Sequence, residues 1–163
     1  MSAEELGKLV HRSSWSKDIV VWVGSDSGLA DAVGGVPVVS LDLLDLVPDT
    51  GDIPVADSER VELLRSRLDA RLREIWEQET ARAILRVSNI PLLSRYRVGL
   101  RPFFDWFTGS NRMVILVLPA EMRETRLPTH LEKDIKLDCS DVIGYFDSSL
   151  RDPRCPHRIF REK

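Results

Sequence analysis

Cysteine is scarce in this chain. Cys139 and Cys155 are the only two among 163 residues, too few for a disulfide framework. Apolar runs are short as well, and none approaches the ~20 residues that a membrane-spanning helix requires. The opening stretch, Met1 to Arg12, carries Glu4 and Glu5 and lacks the apolar centre of a secretory signal. Charge of one sign is not in excess. With 23 basic and 26 acidic side chains the formal net charge is −3, so the field of the whole molecule does not draw in nucleic acid. These absences lead us to expect a cytoplasmic protein with no membrane attachment. A hydrophobic content of 43% and a charged content of 30% fit an ordinary globular chain, and the length predicts one domain with a sizeable core.

A further absence falls where a nucleotide-binding loop would stand. Asp18 to Gly24 reads as a buried strand, and Gly24-Ser-Asp-Ser-Gly28 is a glycine-rich turn into a short helix. A working phosphate loop, G-x-x-x-x-G-K-[ST], converges backbone N–H groups, a Lys and a hydroxyl on phosphate and magnesium. Here the spacing is short, no Lys follows, and Asp26 and Asp31 would repel a triphosphate. Gly24, Ser25, Ser27 and Gly28 could still form a weak anion site, because free N–H groups at a helix start favour negative charge. The alternative is a tight turn in which Asp26 or Ser27 caps the helix. A second acid, held at the end of an apolar strand, is also needed to bind magnesium and position water. In Ile84 to Asn89 that place falls to Ser88 and Asn89. Both halves of an ATPase are therefore missing, and passive nucleotide binding is all the loop could offer. No cofactor and no metal are expected.

The rest of the chain alternates strands and helices. Ser2-x-x-Glu5 spells a capping box ahead of Leu6, Leu9 and Val10, which predicts a helix at about 3–12. Strand one spans 18–24, a small helix runs from Gly28 to Val33 and ends at Gly34-Gly35, and the stretch Val36 to Val47 begins as a second strand. Asp57 opens the longest helix, to about 80, with Val61, Leu64, Leu68, Leu72 and Ile75 forming one apolar stripe. Ala83–Val87 is the third strand, Arg97–Phe107 a helix, and Met113–Leu118 a central strand. Val142–Phe146 is a plausible last strand. This alternation predicts an α/β three-layer sandwich with a mainly parallel sheet, P-loop NTPase-like but without a working Walker A or Walker B. One domain is expected over 1–150, followed by a basic, Pro-containing tail over 151–163.

Charge is segregated along the chain. Asp42 to Asp57 holds five Asp and no basic residue, whereas Arg82 to Arg112 holds six Arg against Asp105 alone. Tyr96, Phe103, Phe104, Trp106 and Phe107 share the basic stretch, and arginines beside aromatics suit nucleic-acid grooves. The rings fit a core better. Arg95, Arg97, Arg101 and Arg112 remain candidates for contacting either DNA or a partner protein. Asp42 and Asp45 could serve a metal-dependent hydrolase only if the chain bends after Asp42, since residues three apart point to opposite faces of a strand. His130, Cys139, Cys155 and His157 offer soft ligands, but H-x8-C-x15-C-x-H matches no common zinc spacing. No G-x-S-x-G elbow is present.

In their order these pieces resemble one family. Strand and glycine loop, second strand, amphipathic helix and degenerate acid strand are followed by Gly109-Ser-Asn-Arg-Met-Val-Ile-Leu-Val-Leu-Pro119. The chain ends in Gly144-Tyr-Phe-Asp and Asp152-Pro-Arg-Cys-Pro-His157-Arg158. Together they are similar to BrxF, the small P-loop protein of type 3 bacteriophage-exclusion (BREX) systems. The resemblance implies a component of a multi-protein antiviral assembly that works beside a larger ATPase, a DNA methyltransferase and a phosphatase-like protein. It carries over no catalytic residue. The expectation is a non-catalytic adaptor (a pseudo-ATPase) that binds protein partners and can self-associate. The alternative is a nucleic-acid-binding module using the arginines of 95–112.

Overall fold

Val20 to Val23 and Met113 to Leu118 are apolar at every position, and each segment becomes a strand buried along its whole length, as expected for strands covered on both faces. The computed structural model describes residues 1–16, 18–46, 57–78, 81–95, 98–118, 125–126, 136–137, 144 and 157–162. In chain order the elements are α1 (Ala3–Val10), β1 (Ile19–Val23), α2 (Asp26–Val33), β2 (Val38–Asp42), a 3-10 turn (Leu43–Leu46), α3 (Asp57–Gln78), β3 (Ala83–Ser88), α4 (Pro91–Arg95), α5 (Arg101–Phe107), β4 (Arg112–Leu118), β5 (Thr125–Arg126), β6 (Lys136–Leu137) and β7 (His157–Arg161). Strands β5 and β6 form a separate antiparallel pair. The other five make one sheet, all parallel, in the order β2-β3-β4-β1-β7.

Handedness decides which face each helix covers. From β2 the chain steps to β3 and then β4 in one direction, and right-handed crossovers place α3 and α5 on one face. From β1 to β2 it travels the opposite way across the sheet, so the same rule sends α2 to the other face. The two core clusters agree. Leu64, Leu68, Leu72, Ile75, Phe103 and Phe107 pack on Ile19, Val21, Leu85 and Leu116. On the opposite face Leu6, Leu9, Val10, Leu29 and Val33 pack on Val20, Trp22, Ile84 and Ile115. The α/β sandwich with a parallel sheet is thus present, and the apolar stripe of α3 faces the sheet from Leu64 onward.

Several boundaries differ from the sequence expectation. Strand β2 stops at Asp42, whose Oδ1 accepts the Leu44 N–H (2.9 Å) and turns the chain into the 3-10 segment. Helix α5 starts at Arg101, with Pro102 in its first turn, a place Pro tolerates. The short α4 lies ahead of it. A larger correction concerns the C-terminus: His157–Arg161, expected as part of a basic tail, is strand β7 and pairs with β1 from Ile19↔His157 to Val23↔Arg161. Counting charges masked its alternation, in which Phe160 is buried on one face and Ile159 packs on the other. The strand expected at Val142–Phe146 lies outside the described residues apart from Gly144, which is helical and not extended.

Candidate functional site

All five strands run in one direction, so the C-terminal ends of β1, β3 and β4 lie at the same end of the sheet, where α/β sheets generally hold ligands. The glycine loop is there. Gly24 N–H donates to the Leu118 carbonyl (3.0 Å) and the Trp22 indole N–H to the Ser25 carbonyl (3.1 Å). Ser25, extended at φ −77° and ψ 159°, is the N-cap of α2, and its Oγ accepts the Gly28 N–H at 3.0 Å. The cap is therefore Ser25, not Asp26 or Ser27; only Ser25 has the non-helical backbone that a cap requires. The helix ends at Gly34, which adopts φ 62°, a left-handed conformation suited to glycine.

The cradle formed by this loop holds an anion from the chain itself. Glu162 N–H donates to the Val23 carbonyl (3.1 Å), extending the β7–β1 ladder by one step. Its side chain then folds back over the loop. Ser25 N–H donates to Glu162 Oε2 at 2.7 Å and Ser25 Oγ donates to Oε1 at 2.8 Å. The two glycines make room for it. A Cβ on Gly28 would lie 2.4 Å from Glu162 Oε1, and one on Gly24 would lie 2.8 Å from both Glu162 Cβ and the Trp22 ring. The carboxylate sits at the positive end of α2, where negative charge is favoured. A phosphate could reach the Ser25 N–H only by displacing it. Ser27 contributes less directly, its Oγ lying 3.2 Å from that of Ser25.

At the ends of β2 and β3, Asn89 takes φ 60°, a left-handed conformation that Asn adopts more readily than most residues. Its Nδ2 donates to Asp42 Oδ1 at 2.6 Å. The chain does bend after Asp42, but that carboxylate is engaged by the Leu44 N–H and Asn89. Among the described residues no three His, Cys, Asp or Glu side chains gather as a metal site. His130, Cys139 and Cys155 lie outside those residues, and His157 is described by its backbone alone.

The arginines singled out in the sequence do not form one described patch. Arg112 is only 4% exposed. Its guanidinium stacks over Trp76 (4.0 Å) and approaches Phe107 (5.2 Å), while Nη2 donates to the Trp76 carbonyl at 3.4 Å. Arg112 thus ties β4 to α3 and α5 and offers no surface to DNA. Arg101 is exposed and its Nε meets both carboxylate oxygens of Asp105, at 3.1 and 3.2 Å. The Arg95 side chain and all of Arg97 lie outside the described residues. The rings of Phe103 and Phe107 are core, as expected, with Phe104 and Trp106 packed against it.

Two further arginines, outside the candidate set, have defined work. Arg82 stacks on Trp15 at 3.8 Å and donates to the carbonyls of Val10 (3.0 Å), Ser13 (2.9 Å) and Arg12, closing the end of α1. Arg86 pairs with Asp26 in the first turn of α2. Its signal was available: one charge inside an otherwise apolar strand, Ala-Ile-Leu-Arg-Val. No family model matches the chain, and no curated protein matches it at significant similarity.

Proposed function

We propose that this chain is a P-loop-like adaptor without ATPase activity, and that it works as a protein-binding component of an anti-phage defence complex. One observation carries the non-catalytic part: the glycine loop is filled by the carboxylate of Glu162, held by the same Ser25 N–H that would otherwise face phosphate. Two features support it. No Lys follows the loop, and the place of the second acid is taken by Ser88 and by Asn89, whose amide is bonded to Asp42. The defence context rests on the resemblance of the whole layout to the BrxF family. A sheet that keeps its loop geometry while filling its own anion site retains a shape that partners can recognise and gives up the chemistry.

The test is a thermal-shift titration of the full chain with ATP–Mg and ADP–Mg, followed by co-expression with the other proteins of a BREX locus and size-exclusion analysis. No nucleotide shift and a co-eluting complex are expected. A ligand at a hundred times its Kd would add about 2.7 kcal/mol, a rise of about 5 to 10 °C for a domain of this size. Such a rise with ATP would overturn the reading of a loop filled by Glu162, and release of phosphate from ATP–Mg by the same sample would overturn the non-catalytic reading. Separate elution of every candidate partner would overturn the adaptor.

A further inference from the structure

Among the described residues, two helices of eight residues each, α1 and α2, serve one face of a five-stranded sheet. Beside α2 this leaves a cleft of about 410 Å³ over β2, β3 and β4. Ile84 and Ile115 form its floor, Leu29 and Val33 its wall, and the exposed Ala30 stands at its mouth. The cleft is apolar except at one end, where its lining includes Arg86 and Asp26. We infer that it binds a small apolar carboxylic acid, with Arg86 holding the carboxylate and the cleft holding the hydrocarbon.

Strand alternation puts Arg86 on the same face as Ile84, at a position that a covered sheet normally fills with an aliphatic residue. Its side chain is 28% exposed, so the guanidinium is partly withdrawn from water, whereas Asp26, its partner, is 78% exposed. Asp26 accepts one N–H of a group that carries five. Further donors are thus available beside the cleft, in the planar fork that matches a second carboxylate. The volume falls in the lower part of the range of about 300–1,000 Å³ typical of ligand pockets, which suits a compact ligand. Among the described residues the lining offers no polar side chain apart from Asp26 and Arg86, so a sugar or nucleotide would find no partners there for its hydroxyls and ring nitrogens. A single anionic head on an apolar body is the chemistry that satisfies both ends.

The probes are octanoate and octanol, of equal chain length and different heads, titrated into the labelled full chain and followed by two-dimensional NMR. Saturable octanoate shifts are expected at residues 29–34 and 84–86, with octanol binding about tenfold more weakly, a difference of about 1.4 kcal/mol. Arg86→Leu should abolish that preference while leaving octanol binding intact. Arg86→Lys keeps the charge without the fork and should reduce the preference in a chain that retains its wild-type spectrum. Ala30→Phe should block both ligands by filling the mouth. Equal binding of the two probes to the wild type, shifts centred elsewhere, or no saturation would each overturn the proposal.

Discussion

At Gly28 one methyl group is enough to contest the place of the Glu162 carboxylate, because the added carbon would lie 2.4 Å from Oε1. Gly28→Ala is expected to expel the carboxylate and cost about as much as Glu162→Ala, about 1 kcal/mol for hydrogen bonds at a largely hydrated site. In the Glu162→Ala background the same Gly28→Ala change should cost less, because only the Ser25 Oγ contact at 3.1 Å remains and Ala is the better helix former. A double-mutant cycle by urea denaturation reads that coupling, and additive losses would show that the carboxylate does not occupy the loop in solution. Gly24→Ala should not be rescued in this way, because the Trp22 ring, itself buried, also stands 2.8 Å from the added carbon. Arg112 supplies a second test. Arg112→Ala removes the cation stacked on Trp76 and is expected to cost about 2 kcal/mol by urea denaturation, with no effect specific to nucleic acid. Neither role was legible in the sequence. Ser25 and Glu162 are 137 positions apart, and charge counting sees Arg112 as one cation among six, not as the one that a central strand buries.

At the scale of elements, local signals are legible in the sequence. Ser2 Oγ accepts the Glu5 N–H (3.2 Å) and Glu5 Oε2 accepts the Ser2 N–H (2.6 Å), so the capping box spelled by Ser2-x-x-Glu5 forms as expected. Ser2→Ala should destabilise the protein by about 1 kcal/mol, measured as a fall in the urea midpoint at unchanged slope. The stripe Leu64, Leu68, Leu72 and Ile75 is buried for the same reason: its period is carried by neighbours on one helix. Elements fixed by distant partners were harder to see. Strand β7 is short and rich in charge, and it becomes a strand because β1 offers it a ladder and Asp18 meets Arg158 at 3.4 Å. The end of β2 depends on a side chain, Asp42, bonding forward to Leu44, and apolar patterning does not register that event.

For the whole molecule, strand identity was legible from apolar runs, whereas strand order was not, because pairing partners are chosen across the chain. The order places β1 and β4 in the interior and β2 at an edge. Amide hydrogen exchange should therefore be slowest in Ile19–Val23 and Arg112–Leu118 and faster in Val38–Asp42, whose residues are mostly exposed or half-buried. A uniform rate across the sheet would contradict that arrangement. The same order has a consequence during synthesis. Strand β1 is the first to leave the ribosome, yet its neighbours begin pairing only at Val114 and His157. At about 5 to 20 residues per second, Ile19–Val23 waits about 5 to 20 s for β4 and longer for β7. Throughout that interval five consecutive apolar residues have no sheet to enter, and the nascent chain presents them to chaperones before it can present anything to a partner.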